Sequence, residues 1–334
     1  MRIRRLRRVG AVVVTAFTVG VAMSGCSSHD APAGDSGGGG VTLVIGDQVK
    51  STQTLLESSG QLKDLPYKVT WASFEAGPPL LEAAAAGKVD IGATGDVPAV
   101  FAQSAGSPLK IVTTTATTRP NDFLLVPEGS PIQRVEDLRG KKVAFTKGSS
   151  SNGLVLAALS GAGLKPSDIT ETYLTPNEGL AAFTSGQVDA WAVWNPYAAI
   201  AQQKGKPRVL VNGGGGLTTQ QGYYLASSAA LADGAKEKAI ADLVSRIAKA
   251  QRWSQSHRDE WVPIFSKLTT LPEPIARATF DASSGNLVPI DAAVIAKQQK
   301  LLDLFADAKV IPNHPRAADY FDARFNDRIG EGAK

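Results

Sequence analysis

The sequence predicts an α/β protein of two lobes with a helical tail. Three observations carry that expectation. Between residues 41 and 211, short β-rich runs alternate with helical patterns, which implies parallel pairing with right-handed crossovers. The body that starts at Val41 is longer than a single hydrophobic core usually serves. From Lys236 onward the pattern is of amphipathic helices.

The chain opens with Arg2, Arg4, Arg5, Arg7 and Arg8, ahead of an apolar run over residues 9–22 that ends in Met23-Ser24-Gly25-Cys26. A positive head, a short apolar core and small residues before a cysteine describe a secretory signal whose cysteine is lipidated after cleavage. The competing reading, a permanent anchor helix, needs a longer apolar run than this one. Cys26 is the only cysteine, so the folded body has no thiol for catalysis, redox chemistry or soft-metal ligation. The formal charge of +4 resides in the head; without its arginines the chain is nearly neutral, and no clustered basic face suggests nucleic acid. Residues 27–40, rich in Gly, Ser, Ala and Pro, cannot bury enough apolar surface to order themselves. They would form a tether with a reach of roughly 20 Å.

Val41-Thr42-Leu43-Val44-Ile45 reads as the first strand, and residues 51–59 as a helix. Tyr67-Lys68-Val69-Thr70-Trp71 alternates with period two, as a strand does. Residues 78–86 form a helix with Pro near its start and Gly87 just past its end. A short buried strand follows in Val89-Asp90-Ile91-Gly92-Ala93, and Asp96 is placed to cap a helix over 97–105. Residues 109–115 and 123–126 complete a first set of strands. A second set begins near Pro127, with strands at 142–145, 171–174, 188–194 and 209–211 and helices at 154–162, 179–185 and 196–203. Gly213-Gly214-Gly215-Gly216 opens no clear helix and reads as a floppy connection, not a dinucleotide fingerprint. In the tail, helices are expected over 236–255, 261–268, 273–280 and 292–306, with Trp253, Trp261 and Phe265 packed inward and the whole bracing the first lobe.

The halves rhyme. Gly87-Lys88-Val89-Asp90 and Gly186-Gln187-Val188-Asp189 each precede a short strand that ends in a polar loop. This is either a recurrent αβ connection or the mark of two similar lobes. The division expected is a signal over 1–25, lipidated Cys26 and tether over 26–40, lobe 1 over 41–126, lobe 2 over 127–222, and a return to lobe 1 with C-terminal helices over 223–334.

His257 and His314 lack partners at ligand spacing, so no metal site is expected, and no Ser stands in an activating motif. What recurs is a strand, a loop of small polar residues and a helix: Gly46-Asp47-Gln48-Val49-Lys50-Ser51-Thr52, Thr94-Gly95-Asp96, and Lys147-Gly148-Ser149-Ser150-Ser151-Asn152. Ligands of open α/β sheets lie at the carboxyl ends of the strands. Helix N-termini there offer free N–H groups and partial positive charge, which suit an anion. Plain helix capping is the alternative for any one loop; three loops on two lobes favour a shared anion pocket. Arg119, in a loop near the expected cleft, could pair with that anion or stay a solvated rim residue.

The chain resembles the aliphatic-sulfonate-binding receptors of ABC transporters from about Val41 to Phe305. The resemblance is densest in Phe74-Glu75-Ala76-Gly77-Pro78-Pro79-Leu80-Leu81-Glu82-Ala83, Thr94-Gly95-Asp96-Val97-Pro98, Val143-Ala144-Phe145-Thr146-Lys147-Gly148-Ser149-Ser150-Ser151 and Val188-Asp189-Ala190-Trp191-Ala192-Val193-Trp194. It implies a bilobal periplasmic-binding-protein fold of the second type, closure over a sulfonate, and delivery to a membrane permease driven by a cytoplasmic ATPase for sulfur acquisition. It implies a monomer held to the membrane by lipid, with no cofactor and no enzymatic activity. Matching positions make Gln48, Thr94, Gly95, Asp96, Ser149, Ser150, Trp194, Asn195 and Tyr224 the pocket candidates. Many relatives carry Trp-Asp-Pro-Tyr where this chain has Trp194-Asn195-Pro196-Tyr197, which removes a charge that could meet a ligand ammonium. Asp47 would repel an anion if it faced the pocket. The same fold also holds receptors for nitrate, sulfate esters and vitamin precursors, and a desulfinase that needs a cysteine in its pocket.

Overall fold

The computed structural model describes residues 40–117 and 119–330; the expected signal, Cys26 and the tether up to Gly39 lie outside the described residues. The chain begins with β1 (Thr42–Gln48), α1 (Ser51–Ser58), β2 (Lys68–Phe74), α2 (Gly77–Ala85), β3 (Ile91–Gly95), α3 (Asp96–Ser104) and β4 (Leu109–Ala116). It continues with β5 (Asp122–Val126), β6 (Lys142–Phe145), α4 (Ser150–Gly161), β7 (Thr170–Tyr173), α5 (Pro176–Thr184), β8 (Ala190–Trp194), α6 (Tyr197–Gly205) and β9 (Arg208–Asn212). It returns with β10 (Gln221–Ser227), α7 (Ser228–Ala232), α8 (Gly234–Ser256), α9 (Arg258–Thr269), α10 (Glu273–Ser283), β11 (Asn286–Val288), α11 (Ala292–Asp307) and α12 (Asn326–Gly330).

Two sheets result, in the orders β11-β4-β10-β3-β1-β2 and β7-β6-β8-β5-β9. Each contains a parallel trio, β2-β1-β3 and β7-β6-β8. Beside each trio lies an antiparallel strand adjacent to a crossing between the sheets, β10 in the first and β5 in the second. The sequence reading assigned residues 123–126 to the first lobe, but β5 pairs with β8 and β9, so the chain changes sheet before Asp122. An apolar run shows only that a strand exists; its pairing is a long-range choice.

Apolar clusters lie on both faces of each sheet, as two doubly wound lobes require. On the first, Ile240, Leu243, Val244 and Ile247 of α8 form a helical stripe against Leu43, Ile45 and Ile91. Asp233 starts that helix by accepting from the N–H groups of Ala235 (2.9 Å) and Lys236 (3.1 Å).

The repeated tetrapeptide has the same task in both lobes. Gly87 and Gly186 take φ of 71° and 72° just after α2 and α5, where a side chain would be strained. Asp90 then accepts from Val44 N–H at 2.9 Å, and Asp189 from Lys142 N–H at 2.8 Å. Each carboxylate ties the entry of one parallel strand to its central neighbour, so the rhyme reflects two lobes of one design.

The glycine run after β9 is a hydrogen-bonded turn. Gly213 N–H donates to Asp122 O (2.9 Å), and Leu217 and Thr218 N–H groups return to Gly214 and Gly213. The two crossings between sheets are thereby tied together. The tail braces more than the first lobe: Phe305 and Leu302 of α11 pack with both Val97 of α3 and Leu156 of α4. Trp261 and Leu271 pack with Ala199 of α6.

Candidate functional site

The carboxyl ends of β1, β3, β6 and β8 meet at one cleft of about 390 Å³ between the lobes, within the range of roughly 300–1,000 Å³ usual for small-ligand sites. Gln48, Thr94, Gly95, Asp96, Ser149, Ser150, Trp194, Asn195 and Tyr224 all line it. Arg119 does not: it is exposed and absent from the lining, although Thr117 and Asn121 on either side belong to it. In the crossing loop its guanidinium stays hydrated, the less costly state for a charge.

The three loops do not contribute alike. Asp47 is buried and outside the cleft lining, and its carboxylate accepts from the N–H groups of Thr52 (3.1 Å) and Gln53 (2.8 Å). It therefore occupies the N-terminus of α1 itself. Burial raises its pKa while those N–H bonds work against the rise. Val49, in the turn before α1, holds φ of 49°, a strained value for a β-branched residue, and faces the cleft. At α3, Asp96 Oδ1 accepts from Val97 N–H at 2.8 Å.

Of the helices that follow the three loops, only α4 has no carboxylate on its first N–H groups. The N–H groups of Asn152 and Gly153 return to Ser149 O (3.0 and 3.3 Å), and no described residue engages those of Ser150 and Ser151. Ser149 braces this turn: its hydroxyl donates to Thr146 O at 2.7 Å, so it accepts from Ser151 Oγ, also 2.7 Å away. Asn152 Oδ1 accepts from Gly148 N–H at 3.0 Å. The anion end of the cleft is thus an uncapped helix N-terminus on a pinned loop.

Further polar groups line the same cleft. Thr94, 6% exposed, has a hydroxyl with no partner, and Trp261, 4% exposed, an indole N–H with none. Asn121 Oδ1 is likewise buried without a partner. Gln48 Nε2 is anchored on Ala93 O at 2.9 Å. Asn195 caps no helix. Gly77 is required beneath Thr94, because a Cβ there would stand 1.9 Å from Thr94 Oγ1.

Two carboxyl groups and no Lys, Arg or His belong to the described lining. Asp96 accepts from Thr219 Oγ1, and burial pushes its pKa up against that bond and the one from Val97. Asp122, at the entry of β5, accepts from Ser150 Oγ at 2.5 Å. Burial, with the Asp96 charge adding to it, pushes Asp122 up to about 7 despite the Ser150 bond. Sequence reasoning missed Asp122 and Asn121; the one available signal was a polar pair heading an apolar strand after Pro120. It placed Trp261 and Phe265 in the core, and they are also cleft walls, with Phe280.

Known proteins share this fold. Residues 76–260 match the family model described as NMT1/THI5 like. An aliphatic sulfonates-binding protein of Escherichia coli (strain K12) is 40% identical over 274 residues, 81% of this chain and 85% of that protein. The alkanesulfonate-binding protein of Xanthomonas axonopodis pv. citri, solved with MOPS bound, superposes with a TM-score of 0.78 at 33% identity, covering 84% of this chain and 98% of that one. The crystal structure of the periplasmic aliphatic sulphonate binding protein of Escherichia coli gives a TM-score of 0.72 at 38% identity, over 84% of this chain and 91% of that one. These relatives are binding proteins, not enzymes. With its two doubly wound lobes and a cleft at their strand ends, the chain belongs to the NMT1/THI5-like family and, within it, to the group of the aliphatic sulfonates-binding proteins.

Proposed function

We propose that this protein is an extracytoplasmic solute-binding lipoprotein that captures aliphatic sulfonates and delivers them to an ABC importer for sulfur acquisition. The observation that carries the reading is the uncapped N-terminus of α4 facing a cleft with unpartnered Thr94 and Trp261 donors. A sulfonate is ionised at every physiological pH, and N–H and hydroxyl groups can meet its three oxygens without a counter-cation. Trp194, Trp261, Phe265 and Phe280 offer apolar walls for a carbon tail. Cys26 would hold the lipid, residues 27–40 would form the tether, and a permease with its ATPase would receive the cargo from a monomer. Among the described residues no helix is long and apolar enough to cross a membrane.

A thermal-shift panel of alkanesulfonates, taurine, nitrate, sulfate and vitamin precursors tests this reading. An alkanesulfonate at 100 times its dissociation constant is expected to stabilise the protein by about 2.7 kcal/mol. A shift with nitrate or a vitamin precursor and none with any sulfonate would overturn it.

The side chain of Asn195 bears on the head group. At pH 6, where Asp122 is largely neutral, no ionised carboxylate at position 195 is available to an ammonium. Propanesulfonate is therefore expected to bind tighter than taurine, and Asn195→Asp to narrow the gap by giving the taurine ammonium a carboxylate partner. Calorimetry with both ligands on both proteins reads this; an unchanged ratio would count against a role for Asn195.

A further inference from the structure

Asp122 is a carboxyl group beside the anion end of a cleft that holds no cationic side chain among its described lining residues. Its bond from Ser150 Oγ, at 2.5 Å, commits the serine proton to the carboxylate. An ionised Asp122 therefore harms anion binding twice, by like-charge repulsion and by occupying a donor at the mouth of α4. A protonated Asp122 does the reverse. Its O–H can donate to Ser150 Oγ, and the Ser150 hydroxyl can then turn its own hydrogen into the cleft. The unpartnered Thr94 hydroxyl, nine-tenths buried in the same lining, marks this as a place built for a ligand.

We propose that Asp122 and Ser150 form a proton-gated donor relay, so that the cleft takes up one proton from solvent with each organic anion it captures. The inference rests on the anion-receptor reading above. The step breaks no bond of the ligand: a proton passes from water to Asp122, and two hydroxyl hydrogens reorient.

The surroundings of Asp122 leave the role to it. On α3, Asp96 faces it and raises its proton affinity. On β8 its partner is Trp194, and α4 brings Ser150. Arg208 of β9 pairs with Val126, at the far end of β5, and donates to Ile132 O. Lys204 of α6, Arg119 and Lys147 are exposed and outside the lining. Asp96 differs in holding an N–H bond from its own helix and a hydroxyl from Thr219, neither of which is offered to the ligand.

The test is calorimetry of the mature protein with propanesulfonate at pH 8, in buffers of different ionisation enthalpy, and of affinity from pH 5.5 to 8.5. The wild type is expected to take up close to one proton and to lose roughly tenfold in affinity per pH unit on the alkaline side. Asp122→Asn, which cannot ionise and can donate through its amide, is expected to take up none and to bind with equal strength across the range, exceeding the wild type at pH 8.5. Wild-type binding that is flat in pH and releases or takes up no proton would overturn the relay and leave the receptor reading standing. No binding of any alkanesulfonate at any pH would overturn both.

Discussion

Replacing Trp261 by alanine is expected to lower the unfolding free energy by about 3–5 kcal/mol, the usual cost of deleting a large buried aromatic side chain. The ring lies 6.1–6.3 Å from those of Phe265, Phe280 and Trp253, and packs with Val262, Leu271 and Ala276. This cluster holds α9 to α10 and reaches Ala199 of α6, so its loss would loosen the tail's hold on the second lobe. Trp261→Phe separates packing from hydrogen bonding. It keeps much of the apolar contact and removes an indole N–H that is buried without a partner. An unmet buried donor costs about 1–3 kcal/mol in the empty protein, so the phenylalanine variant is expected to lose far less stability than the alanine one. Its alkanesulfonate affinity should nevertheless fall, because the group removed is one the ligand would satisfy. Urea unfolding and calorimetry on the two variants read the two effects. A phenylalanine variant with unchanged affinity would show that the indole N–H plays no part in capture.

The sequence disclosed the frame of this site more fully than its walls. Strand–loop–helix units are local patterns, so the ends of β1, β3 and β6, with the loops that hold Gln48, Thr94 and Ser150, could be located by spacing, whereas Asn195 at the end of β8 came from the family resemblance. Whether a loop offers its N–H groups is not local. Asp47 and Ser149 look alike as polar residues before a helix, yet one spends its oxygens on α1 and the other leaves α4 open. Asp122 was out of reach for a similar reason. Its strand reads as the end of the first lobe until the pairing of Asp122 with Trp194 places it against the second. Its partner Ser150 lies 28 residues away. Trp261 carries two assignments, core and cleft, because one face of α9 serves both. The equivalence of Asp90 and Asp189 is the counter-example: a four-residue rhyme sufficed, since the turn, the carboxylate and the strand it ties are all near in sequence or repeated.

In the absence of ligand, Asp122→Asn is expected to stabilise the protein at pH 8 and to change little at pH 4. Burial raises the Asp122 pKa from an ordinary carboxylate value to about 7. Between roughly pH 4 and pH 7 the folded chain therefore binds more protons at this position than the unfolded chain does. Unfolding free energy falls with rising pH through that window and levels off above it, with a loss of up to about 4 kcal/mol from this group. Asparagine cannot ionise and can still accept from Ser150, so the variant escapes that loss. Asp96 and Asp47, also raised by burial, add slopes of the same sign, and part of the wild-type decline should persist in the variant. Chemical unfolding at intervals from pH 4 to pH 8.5 measures the difference directly. Parallel curves for the two proteins would mean that Asp122 is ionised at no cost in the empty cleft. Curves that diverge from about pH 4 and run parallel again above about pH 7 would mean that the fold bears a standing penalty at this carboxyl once it is ionised, a cost that protonation or the asparagine relieves.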